Sequence, residues 1–407
     1  MNISINSDFH DGTCFITLHG RLDSANAAEA QEILLQKAGE HPGLGRLSLD
    51  VADLKYISSA GLRILLLLKS TIPDIVIINA SPVIFRTLEI TGFTKLFHVQ
   101  KAFRNVDITG CSLIALGLTS RVYKLDSTTV IKVYPENADF ADICREQETV
   151  QKAFVLGIPA AISYEIVKVE QQYGIAYKMS DAKCLSLLIS EQPDELSGYA
   201  EKLATLARTI HFTRVSDGQF QTARSIYLPM MSSVSVWMTQ KQYDHISKLT
   251  EAVPDTDTLI HGGFHPNSVL VHDGRFELID MGNVSIGYAP LDLLSLYGIS
   301  GKDKNPAEIS EYFGMSPESR SKLWSAFCQA YFADSFTPDN MRLLHEYLDI
   351  ISLMRTVSDK CRLYGTPKTC PESKVPELRR QIEKLLQYDP EDVHNKAIRI
   401  SSFLPRP

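Results

Sequence analysis

DLKYISSAGLRILLLLK, Asp53 to Lys69, holds a turn with two serines followed by a helical pattern, and LSLDV (Leu47 to Val51) reads as a strand leading into it. The apolar residues Leu62 and Ile64 to Leu68 are too dense for a solvated surface, so this helix is expected to be buried. Ser58 and Ser59 therefore sit where a helix begins. A side-chain oxygen there caps unpaired N–H groups, and an added phosphate would face the positive end of the helix dipole. The residues alone leave two readings open, an ordinary cap or a modification site.

Two further blocks widen the pattern: GRLDSANAAEAQEIL (Gly20 to Leu34), a strand and then a helix, and NASPVIFRTLEITGFTKLFHV (Asn79 to Val99), a helix and then a strand. With LSLDVADLKYISSAGLRILLLL between them, they resemble in order and spacing the STAS domain of anti-sigma factor antagonists, over residues 1–102. The resemblance implies an α/β fold and a protein partner of the anti-sigma factor or serine-kinase type. It also implies phosphorylation of the serine two residues before the loop glycine. That serine is Ser59, with Ser58 in place of a frequent aspartate.

The bulk properties fit a two-part protein. At roughly 150 residues per domain, 407 residues suggest two or three domains. The chain is 44% apolar and 22% charged, and its net charge of −7 gives no reason to expect nucleic acid or an anionic membrane as partner. Seven scattered cysteines without a CxxC pair suit reduced thiols and argue against a disulfide framework or zinc cluster. Met1 leads into alternating strand sequence with no signal-peptide series, and the longest apolar run is far short of a membrane span. A cytoplasmic protein is the expectation.

After a linker placed at 103–111, SLIALGLTSRVYKLDSTTVIKVYP (Ser112 to Pro135) reads as two or three antiparallel strands, turning at Gly117 and at Asp126-Ser127. A helix follows in DFADICREQETVQKAFVLG, stopped by Gly157 and Pro159. ISYEIVKVEQQ and YGIAYKM are strands with the turn expected at Tyr173-Gly174. From about Ser186 the pattern is helical, interrupted by TLIHGGFHPNSVLVHDGRFELIDM. This gives a β lobe over 112–185 and a helical lobe over 186–407, an α+β protein-kinase-like domain behind the α/β one.

Within that frame Lys132 lies on a central strand, where kinases place the lysine that pairs with ATP phosphates, and Glu146 on the next helix matches its partner. A lone strand lysine also suits an exposed edge. HGGFHPNSVLV (His261 to Val271) and LIDMGNVSIGYAPLDLL (Leu278 to Leu294) resemble the catalytic and metal-binding segments of the aminoglycoside and choline phosphotransferase family. That resemblance implies ATP and Mg²⁺ as cofactors and Asp280 as a metal ligand, with Asp292 structural. Gly117, Thr119 and Ser120, in GLTSRVY, match the loop that covers the phosphates, although one glycine equally suits a plain β-turn.

The chain departs from the family at the chemistry. The family pattern H-G-D-x-x-x-x-N carries a base and a metal ligand, and the matching positions are Gly263 and Ser268. Glycine has no carboxylate, and serine is a weaker, neutral ligand for a hard cation. Asn267 lies one residue early, and His265 belongs to the ordinary family pattern, so it is no obvious replacement base. The expectation is a signalling protein rather than an enzyme: a STAS module controlled by serine phosphorylation, coupled to a pseudokinase that holds a nucleotide or other ligand. The alternative is a slow ATP-dependent phosphotransferase acting on a small hydroxyl or amine substrate, with a regulatory STAS domain.

Overall fold

The computed structural model describes residues 3–10, 13–40, 46–72, 74–116, 120–179, 181–216, 218–226, 233–300 and 306–406. The chain divides into two compact units, Met1–Asp107 with Val167–Glu170, and the remainder.

The first unit is an α/β layer. Its strands are β1 (Ser4–His10), β2 (Thr13–Leu22), β3 (Arg46–Asp50), β4 (Leu54–Ile57), β5 (Ile75–Ala80) and β6 (His98–Lys101), and its helices α1 (Ala27–Gly39), α2 (Ser59–Thr71) and α3 (Pro82–Ile90). The sheet runs β1-β2-β3-β5-β6, with β4 paired to the far end of β2. β1 is antiparallel to β2 and the other pairings are parallel. Alternation on β2 sends Cys14, Ile16, Leu18 and Leu22 inward, against Leu47 and Leu49 of β3 and Ile75 and Ile77 of β5. Parallel pairing of the central strands requires helical crossovers, and α1 and α2 supply them. Helix α2 buries Leu62, Ile64, Leu65 and Leu68. Leu66 and Leu67 do not follow the expectation of burial along the whole apolar run: both are exposed, because five consecutive residues turn through more than one helical face.

The β lobe follows, most of it in the second unit. Ser163–Val169, Gln172–Lys178, Thr129–Val133, Arg121–Lys124 and Ser112–Leu116 are neighbours in that order, with Thr129–Val133 antiparallel to both strands beside it. The turn between the 163–169 and 172–178 strands falls at Glu170-Gln171, not at Tyr173-Gly174 as expected; Glu170 adopts the left-handed conformation and Tyr173 and Gly174 remain in the strand. Gly117 and Thr119 lie outside the described residues, and Ser120 immediately follows them. The helix Phe140–Val155 starts at the Asp139 cap, whose carboxylate accepts from the Ala141 N–H, and ends before left-handed Gly157.

The helical lobe packs Leu196–His211, Gln240–Glu251, Pro290–Gly298, Pro317–Phe332 and Pro338–Tyr364 into one core with Val375–Leu385 and Pro390–Phe403. Among the described residues no helix is long and apolar enough to cross a membrane, and no three His, Cys, Asp or Glu side chains group to hold a metal.

Candidate functional site

Two loops carry the residues the sequence singles out. In the first unit, β4 delivers the chain to the start of α2, and Ser58 is the cap: its Oγ accepts from the Gly61 N–H at 3.4 Å. Ser59 is the first helical residue and is exposed. Gly61 fits where a side chain cannot, since a Cβ there would stand 2.7 Å from Leu22 Cγ and 2.8 Å from Ile57 Cγ1. That close approach fixes the loop and leaves the Ser59 hydroxyl outward. The first turn of α2 carries no acidic side chain.

In the second unit, Lys132 extends from the central strand to meet Glu146 of the 140–155 helix, Nζ to Oε1 at 2.7 Å. Its Nζ also donates to Asp280 Oδ1 at 2.8 Å. Lys132 and Glu146 are mostly buried, with side chains 13% and 11% exposed, whereas the Asp280 side chain is 69% exposed. Burial opposes charge on Lys132, but Glu146 and Asp280 outweigh it and raise its pKa. Desolvation likewise pushes the Asp280 carboxyl up, and the Lys132 ammonium more than reverses that, leaving it below its ordinary value. Tyr177 donates to Glu146 Oε1 at 3.3 Å, and burial, then the Glu146 charge, raises its phenol and that of Tyr134.

Asp280 adopts the left-handed backbone conformation, which aspartate tolerates better than most residues. Two residues on, Gly282 abuts Glu146: a Cβ there would lie 3.1 Å from Oε2. These supporting contacts escaped the sequence reading. Gly282 carried a signal, a glycine two residues after the matched aspartate, but the tyrosines carried none.

The loop 261–268 is held from beneath. Asp292 is fully buried, and its two oxygens accept from the backbone N–H groups of His261 and Gly262, each at 2.6 Å. His211 lies 3.1 Å from the same carboxylate and 2.7 Å from the Tyr331 hydroxyl. Burial presses the Asp292 carboxyl up, and His211 foremost brings it below the ordinary range. Gly262 has φ of +81° and sits against the Asn283 carbonyl oxygen, 2.5 Å from where a Cβ would stand. Gly263 differs: its φ is ordinary, and the nearest atom to a built Cβ is His261 Nδ1 at 3.9 Å. The geometry therefore admits a side chain at Gly263.

Ser268 is turned inward. Its Oγ accepts from the His265 N–H at 3.0 Å and donates to the His265 carbonyl at 2.7 Å. The Asn267 amide donates to the Tyr312 carbonyl at 3.0 Å, and its Oδ1 lies 3.6 Å from Cys184 Sγ. The His265 imidazole is lowered to about 4, first by burial and then by His261, which makes it a weak base.

These residues fit one part of a nucleotide complex and not another. Lys132, braced by two carboxylates, is a positioned cation for a phosphate oxygen. A two-ligand clamp for a divalent ion is not present in this conformation: Asp280 supplies one carboxylate, while the Ser268 hydroxyl and the Asn267 amide are engaged elsewhere.

Residues 4–107 match the family model of the STAS domain, and residues 110–342 match that of the phosphotransferase enzyme family. A putative anti-sigma factor antagonist of Bordetella bronchiseptica, BtrV, is 34% identical over 104 residues, covering 25% of this chain and 88% of that protein. Among solved structures, a gentamicin complex of APH(2")-IIa has 17% identity and a TM-score of 0.46, covering 69% of this chain and 92% of its own. An anti-sigma factor antagonist of Mycobacterium paratuberculosis has 20% identity and a TM-score of 0.23, covering 24% of this chain and 86% of its own. The chain thus belongs to the phosphotransferase enzyme family through its second part, and its first part is a STAS domain of the anti-sigma factor antagonist kind.

Proposed function

We propose that this protein is a regulatory switch: a STAS module that binds a protein partner and is controlled by phosphate on Ser59, coupled to a phosphotransferase-like module that binds nucleotide without efficient transfer. The observation that carries the reading is the loop 261–268. It keeps its scaffold, including the Asp292 carboxylate under His261 and Gly262, yet offers no carboxylate at Gly263 and no free hydroxyl at Ser268. A positioned general base typically contributes about 10²–10⁴-fold to a rate, so its loss leaves a slow catalyst at best.

For Ser59 the support is position. It is exposed, at the first turn of a helix without acidic residues, and the fixed Gly61 keeps it there. A phosphoserine brings about −1.5 to −2 charges, enough to oppose docking on an acidic or apolar partner face. Ser59→Asp should weaken capture of the partner, and Ser59→Ala should leave it constitutive. Equal affinity of wild type and both variants for the partner would remove the switch.

A melting curve with ATP and Mg²⁺, followed by intact mass, tests the second module. Wild type should be stabilised, by about 2.7 kcal/mol at 100 times the dissociation constant, and should gain no phosphate. Lys132→Ala should erase the shift. No shift at millimolar ATP would show that the cleft is not a nucleotide site. The intact Lys132–Glu146 pair favours one other reading, a slow phosphotransferase for a small hydroxyl or amine substrate. Measurable phosphorylation of such a substrate by wild type would establish it.

A further inference from the structure

Helix α2 turns one narrow face to solvent. Ser59, Arg63, Leu66 and Ser70 are all exposed, and steps of four, three and four residues align them along one side of the helix. The charged residues of the helix are Arg63 and Lys69, and Lys69 belongs to its last turn. Ser59 and Arg63 are neighbours one turn apart, a spacing that sets Cβ atoms about 5–6 Å from each other.

Arg63 is uncommitted: among the described residues it has no ion pair. The cations on the strands that lead into this turn are engaged. Arg21 of β2 lies over the Tyr56 ring at 4.3 Å and 3.6 Å from Asp23, and Lys55 of β4 lies 3.9 Å from Asp53. Helix α1, which packs against α2, carries Glu29 and Glu32, and neither pairs with Arg63. At the helix start itself, the Gly61 N–H is already taken by Ser58 Oγ. A neutral Ser59 hydroxyl gives the guanidinium nothing to hold, whereas a phosphate there would.

We propose that Arg63 receives the phosphate of Ser59: the guanidinium closes on two phosphate oxygens, so that modification adds an anion to this face of α2 and withdraws its cation in one step. The planar fork of arginine matches phosphate oxygens in pairs, which the point charge of lysine does not. The inference rests on the reading of Ser59 as the phospho-acceptor. The modification is a phosphoryl transfer from ATP by a separate protein kinase. The bond from Ser59 Oγ to the γ-phosphorus forms, the bond from that phosphorus to the β–γ bridging oxygen breaks, and ADP and the hydroxyl proton leave.

The test is phosphorus NMR of the full chain with phosphoserine installed at position 59 during synthesis, titrated through the second phosphate ionisation, about pH 6 in an unperturbed phosphoserine. The midpoint should lie below that value, and Arg63→Gln should raise it by about half a pH unit, the size of an exposed charge pair one turn apart. Arg63→Lys should recover part of the shift, and Lys55→Gln should leave the midpoint where it is. The Arg63 Nε–H resonance gives a second measure that needs no variant: it should move downfield on phosphorylation and titrate with the phosphate. Equal midpoints in the parent and Arg63→Gln would overturn the proposal. So would an equal rise in Lys55→Gln, which would assign the effect to the general surface field, or an Nε–H that does not follow the phosphate. The phosphate is installed directly, so partner binding does not enter. Failure of Ser59→Asp to weaken partner capture would remove the switch and leave the Arg63 contact standing, and equal midpoints would do the reverse.

Discussion

The loop 57–61 of the first unit and the loop 261–268 of the second are each built around a glycine where a Cβ would come within 3 Å of a neighbour. In the first, Gly61 lets the start of α2 press against Leu22 and Ile57. In the second, left-handed Gly262 passes the Asn283 carbonyl. Beyond that shared device they diverge. The first loop presents its serine to solvent, with Ser59 exposed and Ser58 doing the capping. The second folds its serine inward, where Ser268 closes a hydrogen-bonded ring with the His265 backbone. One loop turns a serine to solvent, and the other turns its serine in and carries no side chain at Gly263. Under the proposed function scaffold and chemistry are separable here, with the constrained Gly262 and the unconstrained Gly263 marking the division.

The hardest test of that separation is to restore the chemistry. Gly263→Asp with Ser268→Asn should raise ATP hydrolysis, or transfer to a small alcohol, by about 10²-fold or more, the effect of a positioned base. A Cβ at Gly263 meets no atom closer than 3.9 Å, so an aspartate can leave the backbone there without a clash. A folded double variant that shifts its melting point with ATP yet stays inactive would show that the loss extends beyond these two residues.

Next come the glycines themselves. Gly262→Ala and Gly61→Ala each force a Cβ into a contact below 3 Å and should each destabilise by about 1–3 kcal/mol. Gly263→Ala should be nearly neutral. Urea melts of the three variants check this, and a Gly263→Ala variant as damaged as Gly262→Ala would end the distinction between them.

The support beneath the second loop should register in acid. The Asp292 pKa is lowered in the folded protein relative to about 3.9 unfolded. Between those values the unfolded chain binds more protons, so stability rises with pH there. The contribution is fully present above pH 4 and is lost as pH falls through the folded value. Melting temperatures measured from pH 5 downward should fall more steeply in wild type than in Asp292→Asn. Parallel curves would mean that the carboxylate does not carry the loop.

The smallest effect separates the two serines. Ser58→Ala removes the cap on α2 and should cost about 1 kcal/mol. Ser59→Ala, at an exposed position, should cost almost nothing in stability while changing partner binding. Equal losses in thermal melts would mean that the capping and signalling roles are not divided between them.

The sequence alone was enough for the order of elements, because their signals are local. Alternation after Met1 marked the first strand, the serine pair Ser58-Ser59 marked a helix start, and the dense apolar run marked α2. It was also enough to show that Gly263 and Ser268 stand where a carboxylate and an amide were expected. It misplaced the turn at Glu170-Gln171, because a glycine inside a strand reads like a turn until the pairing partner is known. It also buried Leu66 and Leu67, since a run of leucines does not say which face of the helix meets the sheet.

The joining of distant residues belonged to the tertiary structure. Lys132 meets Asp280 across 148 positions, and His211 meets Asp292 across 81. Whether Ser268 turns inward and whether Gly263 has room for a Cβ depend on such contacts. Hydrogen bonding and steric clearance are set by whatever atoms packing brings within a few ångströms, and chain spacing does not record them. Residue identity limits what chemistry a position can perform, and packing decides which of those groups face a ligand.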